Sequence, residues 1–217
     1  MPSNKFQHII WDWNGTLLND GWLFVDIMNS ILEHRNMKTI SLKKYREIFE
    51  FPVEKYYIKL GFNFQQESFE KCGLEFINKY RKRCYEAKLY PKVITLLKKL
   101  TKIGITHSIL SAQHQEILNN HIKYYNIKKY FISLIGLDNY FATSKINNGI
   151  KFIKQVNINP SNILMIGDTN HDYESSIKMG IDCILLSHGH YSKKRLLKKT
   201  TKVLDSLDEI YPLIQNN

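Results

Sequence analysis

The sequence predicts an α/β fold: a doubly wound, parallel, five-stranded sheet with a helical domain inserted after the first strand. Three observations predict it. Five short apolar runs are continuous rather than alternating, as in strands covered on both faces. Helical patterns separate the last four runs, and strand–helix alternation is the signature of a parallel sheet. Between the first run and the second, nearly eighty residues carry no strand pattern, too many for an ordinary crossover.

The first strand is predicted over Phe6–Trp11. Helices follow over Trp22–Arg35, Leu42–Phe49, Val53–Leu60 and Gln66–Lys88, broken at Phe51-Pro52 and at Gly61-Phe62-Asn63. They read as a small second domain over the C-terminal edge of the sheet. The division is therefore residues 1–18 with 90–217 for the core and 19–89 for the helical cap. A helix over Pro91–Ile103 opens with proline in its first turn and lines up Val93, Leu96, Leu97 and Leu100 on one face. The strands Ile105–Leu110, Phe131–Leu137, Asn162–Ile166 and Asp182–Leu186 then alternate with helices over His114–Asn126, Thr143–Val156 and His171–Met179. Gly180 is placed to stop the last helix. The chain carries no internal repeat and no low-complexity linker.

With 217 residues, 43% of them apolar and 12% aromatic, the chain can bury a sizeable core, which excludes general disorder. Lys and Arg number 31 against 20 Asp and Glu, a net charge of +11. Such a balance suits nucleic acid, acidic membranes or anionic small molecules. The lysines are scattered, however, and the densest cluster, Ser192–Lys202, is short, so no specific nucleic-acid partner is expected. Cys72, Cys84 and Cys183 are odd in number and lack C-x-x-C spacing, which suggests a reducing compartment without a disulfide framework. Met1–Lys5 opens no signal-peptide core, and no apolar stretch approaches the ~20 residues of a membrane span. The expectation is a soluble, cytoplasmic protein without a membrane partner, as a monomer or homodimer.

The chemistry concentrates in a few strand ends. In Ile9-Ile10-Trp11-Asp12-Trp13-Asn14-Gly15-Thr16-Leu17, a carboxylate ends a buried strand and a glycine turn follows, where open α/β sheets bind ligands. The competing reading makes Asp12 the cap of a following helix. In Ile166-Gly167-Asp168-Thr169-Asn170-His171-Asp172, two acids four apart at a strand tip can hold a hard cation through oxygen, or else cap the next helix. Ser111 ends the second strand and Lys145 begins the helix after the third. Together, one sheet edge carries carboxylates, a hydroxyl and an ammonium.

These motifs make the chain resemble haloacid dehalogenase superfamily hydrolases with a helical cap after the first strand, as in phosphoglycolate-phosphatase-like enzymes. Asp12-Trp13-Asn14-Gly15-Thr16-Leu17 resembles D-x-D-G-T-L, and Ser111 and Lys145 match the second and third motifs. Gly167-Asp168-Thr169 with Asp172 matches G-D-x-x-x-D. The resemblance covers essentially the whole chain. It implies a Rossmann-like core and a Mg²⁺-dependent phosphatase acting on a small anionic phosphorylated metabolite. Asp12 would attack phosphorus and form an aspartyl-phosphate. Mg²⁺ would be held by Asp12, the Asn14 carbonyl and Asp168, with Asp172 in or near its shell. Ser111 and backbone amides near Trp13, Asn14 and Ala112 would bind phosphoryl oxygens, and Lys145 would offset charge.

One position departs from that pattern. The phosphatases of the family carry a second Asp two residues after the nucleophile, as acid and base; here it is Asn14, which cannot shuttle a proton. General acid–base help is worth roughly 10²–10⁴-fold. Three explanations stay open: another acid substitutes, the catalyst is weak or specialised, or an aspartate was exchanged to trap a complex. A phosphoryl-binding or regulatory protein is the alternative function. His171 and His190 are candidate substitute acids, and a zinc site from His171, Cys183, His188 and His190 is conceivable, although the spacing matches no compact zinc motif. Lys98-Lys99 and Lys193-Lys194-Arg195 read as solvated helix faces. The cap is expected to close about Leu18–Gly21 and Lys88–Pro91, bringing Arg46, Phe49 and Phe51 to the leaving group.

Overall fold

The first apolar run folds as β1 (His8–Trp11), buried at every position, and takes a central place in the sheet. The computed structural model describes residues 5–139 and 145–215. After β1 come β2 (Leu18–Asn19), α1 (Gly21–His34), α2 (Leu42–Ile48), α3 (Val53–Leu60), α4 (Phe69–Arg83) and β3 (Lys88–Leu89). The chain continues through α5 (Val93–Lys102), β4 (Thr106–His114), α6 (Gln115–Tyr124), β5 (Phe131–Leu137), α7 (Ile146–Gln155) and β6 (Ile163–Gly167). It ends with α8 (Asn170–Met179), β7 (Asp182–Leu186), α9 (Lys193–Leu196), β8 (Val203–Leu204) and α10 (Ile210–Gln215). The helix expected to begin at Thr143 starts, for the described residues, at Ile146; Thr143 itself lies outside them.

The central sheet is parallel, in the order β5-β4-β1-β6-β7-β8. The fold is the doubly wound α/β arrangement the sequence predicts, with two corrections. The sheet has six strands rather than five, because Val203 and Leu204 pair with Leu185 and Leu186. Two residues form no apolar run, so this edge strand leaves no pattern to detect. A second small correction lies at the roots of the helical insertion, where β2 and β3 pair antiparallel, Leu18 with Leu89 and Asn19 with Lys88. The chain thus enters and leaves the insertion through neighbouring strands.

Local chemistry explains the helices. Val93, Leu96, Leu97 and Leu100 of α5 are all buried in one stripe against the sheet. Ser41 and Ser68 cap α2 and α4 by accepting hydrogen bonds from the backbone N–H groups of Lys44 and Lys71. Thr169 caps α8, and the Asp172 carboxylate returns a hydrogen bond to the Thr169 N–H, completing a capping box. The insertion has its own aromatic core: Tyr45 stacks on Phe49 at 5.0 Å, and Tyr56 meets both edge-on.

Candidate active site

The Asp12 backbone N–H still donates to Ile166 at 2.8 Å, so the carboxylate stands where β1 leaves the sheet beside the end of β6. No helix follows it directly; the next elements are a turn and β2, which removes the helix-cap reading of Asp12. The cap of α8 is likewise Thr169 rather than Asp168. Asp12, Asp168 and Asp172 each offer an oxygen within 4.8 Å of the others, the only such metal-type cluster among the described residues. His171, Cys183, His188 and His190 form no comparable group, so the zinc alternative falls. The donor set is oxygen only, which suits a hard cation such as Mg²⁺.

Lys145 precedes α7 and is buried, with its ammonium between Asp12 and Asp172, 2.5 Å from the latter, and on the Leu110 carbonyl at 3.0 Å. Burial works against its charge, yet Asp12 and Asp172 outweigh burial and hold the ammonium above its ordinary pKa. Burial pushes the Asp12 carboxyl well above the usual carboxylate range, opposed by Lys145 and reinforced by Asp172 and Asp168. Asp168 is raised to about 6, mainly by burial. Burial acts upward on Asp172 as well, but Lys145 and Thr169 hold it below the usual range. A buried cluster with three carboxylates and one ammonium is a place where a cation is favoured.

Both oxygens of Asp168 and Asp172 are engaged. Asp168 accepts from the Thr16 hydroxyl at 2.8 Å and the His190 backbone N–H at 2.5 Å. Asp172 accepts at one oxygen from the N–H groups of Asp168 and Thr169 and from the Thr169 hydroxyl, and at the other from Lys145. This packing requires glycine at two positions. Gly15 adopts φ +76, and a Cβ there or on Gly189 would collide with the Asp168 carboxylate. Ser111 and Ala112 lie within β4, which runs on to His114 past a register irregularity rather than ending at Leu110. The Ser111 hydroxyl accepts from the Gln113 N–H at 3.0 Å.

Asp12, Asn14, Ser111, Ala112, Lys145 and Asp172 line one cavity of about 130 Å³. Trp13 is buried beside it, with its indole N–H donating to His121 Nδ1 at 3.0 Å, so only its backbone is left for a ligand. Asn14 donates its amide to Asp20 at 2.6 Å and to the Tyr80 hydroxyl at 3.0 Å.

Asp20 is the site residue that sequence reasoning missed. It is fully buried, accepts from the Gly15 N–H at 3.0 Å, and lies 3.3 Å from His190 Nε2. Standing just before α1, it has the look of a helix cap, yet its side chain makes no cap bond there and turns back to the Asp12 loop. Among the groups expected from the insertion, Phe49 and Phe51 line the cavity, and Phe51 lies 4.8 Å from the His171 ring. Arg46 does not line it, contrary to expectation. Its guanidinium donates to the carbonyls of Ser187, His188 and Gly189 in the loop after β7.

Fold and site together define a doubly wound α/β protein with a helical insertion and an acid–lysine centre at the C-terminal edge of its sheet. A family model described as haloacid dehalogenase-like hydrolase matches residues 9–186, and the chain belongs to that family. It is 22% identical over 149 residues to phosphoglycolate phosphatase 1 of Pseudomonas aeruginosa, covering 68% of this chain and 55% of that protein. It is 23% identical over 143 residues to phosphoglycolate phosphatase of Pseudomonas savastanoi, covering 64% and 53%. The chain thus spans about half the length of the curated relatives it matches. A haloacid dehalogenase-like hydrolase from Streptococcus pneumoniae superposes with a TM-score of 0.84 at 18% identity, over 98% of this chain and 100% of that one. Protein tyrosine kinase A of Mycobacterium tuberculosis gives 0.81 at 19% identity, over 98% and 99%. These likenesses establish the fold, and a fold alone does not fix a reaction.

Proposed function

We propose that the chain is a Mg²⁺-dependent phosphatase that hydrolyses a small phosphomonoester through an aspartyl-phosphate on Asp12. The observation that carries it is the convergence of Asp12, Ser111 and Lys145 on one cavity with Asp168 and Asp172 beside them. The naming of the Pseudomonas relatives as phosphoglycolate phosphatases supports a small phosphorylated substrate. In this reading the helices between residues 19 and 89 act as a cap over the core formed by 1–18 and 90–217.

Asp12, the Asn14 carbonyl and Asp168 would hold Mg²⁺, with Asp172 steadying Lys145 and the Asp168 loop from the next position. When bound, the cation offsets the clustered carboxylates and draws charge from the phosphoryl oxygens. An Asp12 oxygen attacks phosphorus as the bond to the leaving oxygen breaks, giving an acyl phosphate and an alkoxide that must gain a proton. Water then attacks the acyl phosphate, releasing inorganic phosphate and restoring Asp12. Ser111 and the amides of Trp13, Asn14 and Ala112 receive the phosphoryl oxygens, and the Lys145 ammonium answers their charge. Asn14 contributes a hydrogen bond but no proton.

The test is phosphate release from a panel of phosphomonoesters with and without Mg²⁺. Release that requires Mg²⁺ supports the reading. Its absence across the panel, with retained binding of a phosphate analogue, favours the second reading: a phosphoryl-binding or regulatory protein, which the asparagine at position 14 independently suggests.

A further inference from the structure

The cavity has two unlike walls. The core wall is charged and polar, with Asp12, Ser111, Lys145 and Asp172. The wall facing it comes from the helical insertion and includes Phe24, Met28, Phe51, Tyr56, Phe76 and Ile77. No lysine or arginine of the insertion lines the cavity, although the chain as a whole carries +11. Three of the insertion's arginines are committed elsewhere. Arg46 holds backbone carbonyls, Arg35 pairs with Glu67 and Glu75, and Arg83 with Asp26 and Glu86. Lys145 is already shared between two carboxylates.

We propose that the substrate is a phosphomonoester whose leaving group is uncharged and aromatic or apolar, rather than one ending in a second anion; this rests on the phosphatase reading above. A phosphoryl group at the core wall sends the rest of the molecule toward the insertion. A carboxylate there would lose its water with no lysine or arginine of the insertion to meet it, and His190, the cavity histidine packed among the insertion's rings, is already held between Asp20 and the Tyr45 hydroxyl, so the exchange is unfavourable. A ring there replaces water at the apolar wall and meets aromatic edges and faces. Tyr56 contributes no charge to this wall. Its hydroxyl is buried without a hydrogen-bond partner among the described residues, whereas the hydroxyls of Tyr45 and Tyr80 are committed to His190 and to Asp20.

The experiment compares two non-hydrolysable phosphonates by calorimetry in the presence of Mg²⁺: benzylphosphonate, with an uncharged ring, and 3-phosphonopropionate, with a carboxylate. Benzylphosphonate is expected to bind about tenfold or more tightly. Equal affinity, the reverse order, or no binding of benzylphosphonate overturns the proposal. Ile77→Lys places a cation on a half-buried position of the apolar wall, with folding checked by circular dichroism. It is expected to raise affinity for 3-phosphonopropionate about tenfold; unchanged affinity overturns the placement of the leaving group against this wall. A clear preference for benzylphosphonate without phosphate release from benzyl phosphate supports the apolar wall and overturns the phosphatase reading instead.

Discussion

Asn14 and Asp20 stand 2.6 Å apart, and if Asp12 is the nucleophile, the carboxyl group of the pair is not the one two residues after it. Asn14→Asp would set two carboxylates side by side, and like charges at that distance raise one pKa strongly. The pair would hold one proton toward neutral pH, and that proton could serve a leaving group. Turnover of an alkyl phosphate is therefore expected to rise by about 10–10⁴-fold, with a smaller gain for an activated aryl phosphate. Rates of both variants on both substrates check this, and no gain favours the phosphoryl-binding reading. Asp12→Asn is expected to abolish release while circular dichroism stays unchanged; more than about a tenth of the original turnover would remove the covalent route. Lys145→Met leaves Asp12 and Asp172 buried without their cation and should cost about 3–5 kcal/mol of stability, measured by urea unfolding. Asp12, Ser111 and Asp168 were legible because each follows an apolar run at one sheet edge, and Lys145 and Asp172 because they complete the same ordered set of motifs. Asp20 was not, because an acid before a helix reads as its cap, and only the tertiary fold turns it toward Gly15 and Asn14.

At the scale of the element, β1 shows what a buried strand demands of its polar neighbours. The indoles of Trp11 and Trp13 donate to Nδ1 of His107 and His121 at 3.2 and 3.0 Å, so each ring must present an unprotonated nitrogen. Burial lowers both histidines to about 4 from an ordinary 6.5. His8, within β1, is lowered to about 4 in the same way. Between those values the unfolded chain binds more protons than the folded one, so stability rises with pH across the window and is lost as pH falls from about 6.5 toward 4. Unfolding free energies from urea titrations at pH 7.5 and pH 5 should differ by a few kcal/mol in favour of pH 7.5, with Asp168, raised by burial to about 6, offsetting part of the histidine gain. His121→Gln, which can still accept from Trp13 but cannot titrate, should shrink that difference. Element type was readable for the same reason the strands are buried: continuous apolar runs gave β5 and β7 their observed limits. The run rule fails where polarity enters a strand. Ser111 to His114 extend β4 as a polar tail, and β8 has only two residues.

Over the whole molecule, the helical insertion is tied to the core by two arginines rather than by an apolar seam alone. Arg46 from α2 grips the carbonyls of residues 187–189, while Arg195 donates to the carbonyls of Arg46 and Phe49 at 3.1 and 2.6 Å and lies 3.6 Å over the Tyr191 ring. Sequence reading placed Arg195 on a solvated face, because a basic run at the start of a short helix gives no sign that one member turns inward. The loop these arginines hold includes Gly189 and His190, whose backbone presses against Asp168. The insertion, the loop after β7 and the Asp168 carboxylate therefore form one chain of contacts, with β2 and β3 as the covalent crossing beneath it. Arg46→Ala removes the grip without touching the cavity. Hydrogen exchange in α2 and α3 is expected to accelerate about tenfold or more while β1, β4 and β6 stay protected, since the sheet loses nothing. If the insertion covers the phosphoryl site, the same variant should raise KM for a phosphomonoester more than it lowers kcat, because the wall that receives the leaving group is then less often in place. Unchanged exchange in α2 and α3 would show that aromatic packing alone holds the insertion. The arginines would then serve only to fix the 187–189 loop, and the cost of their loss would appear in kcat through Asp168.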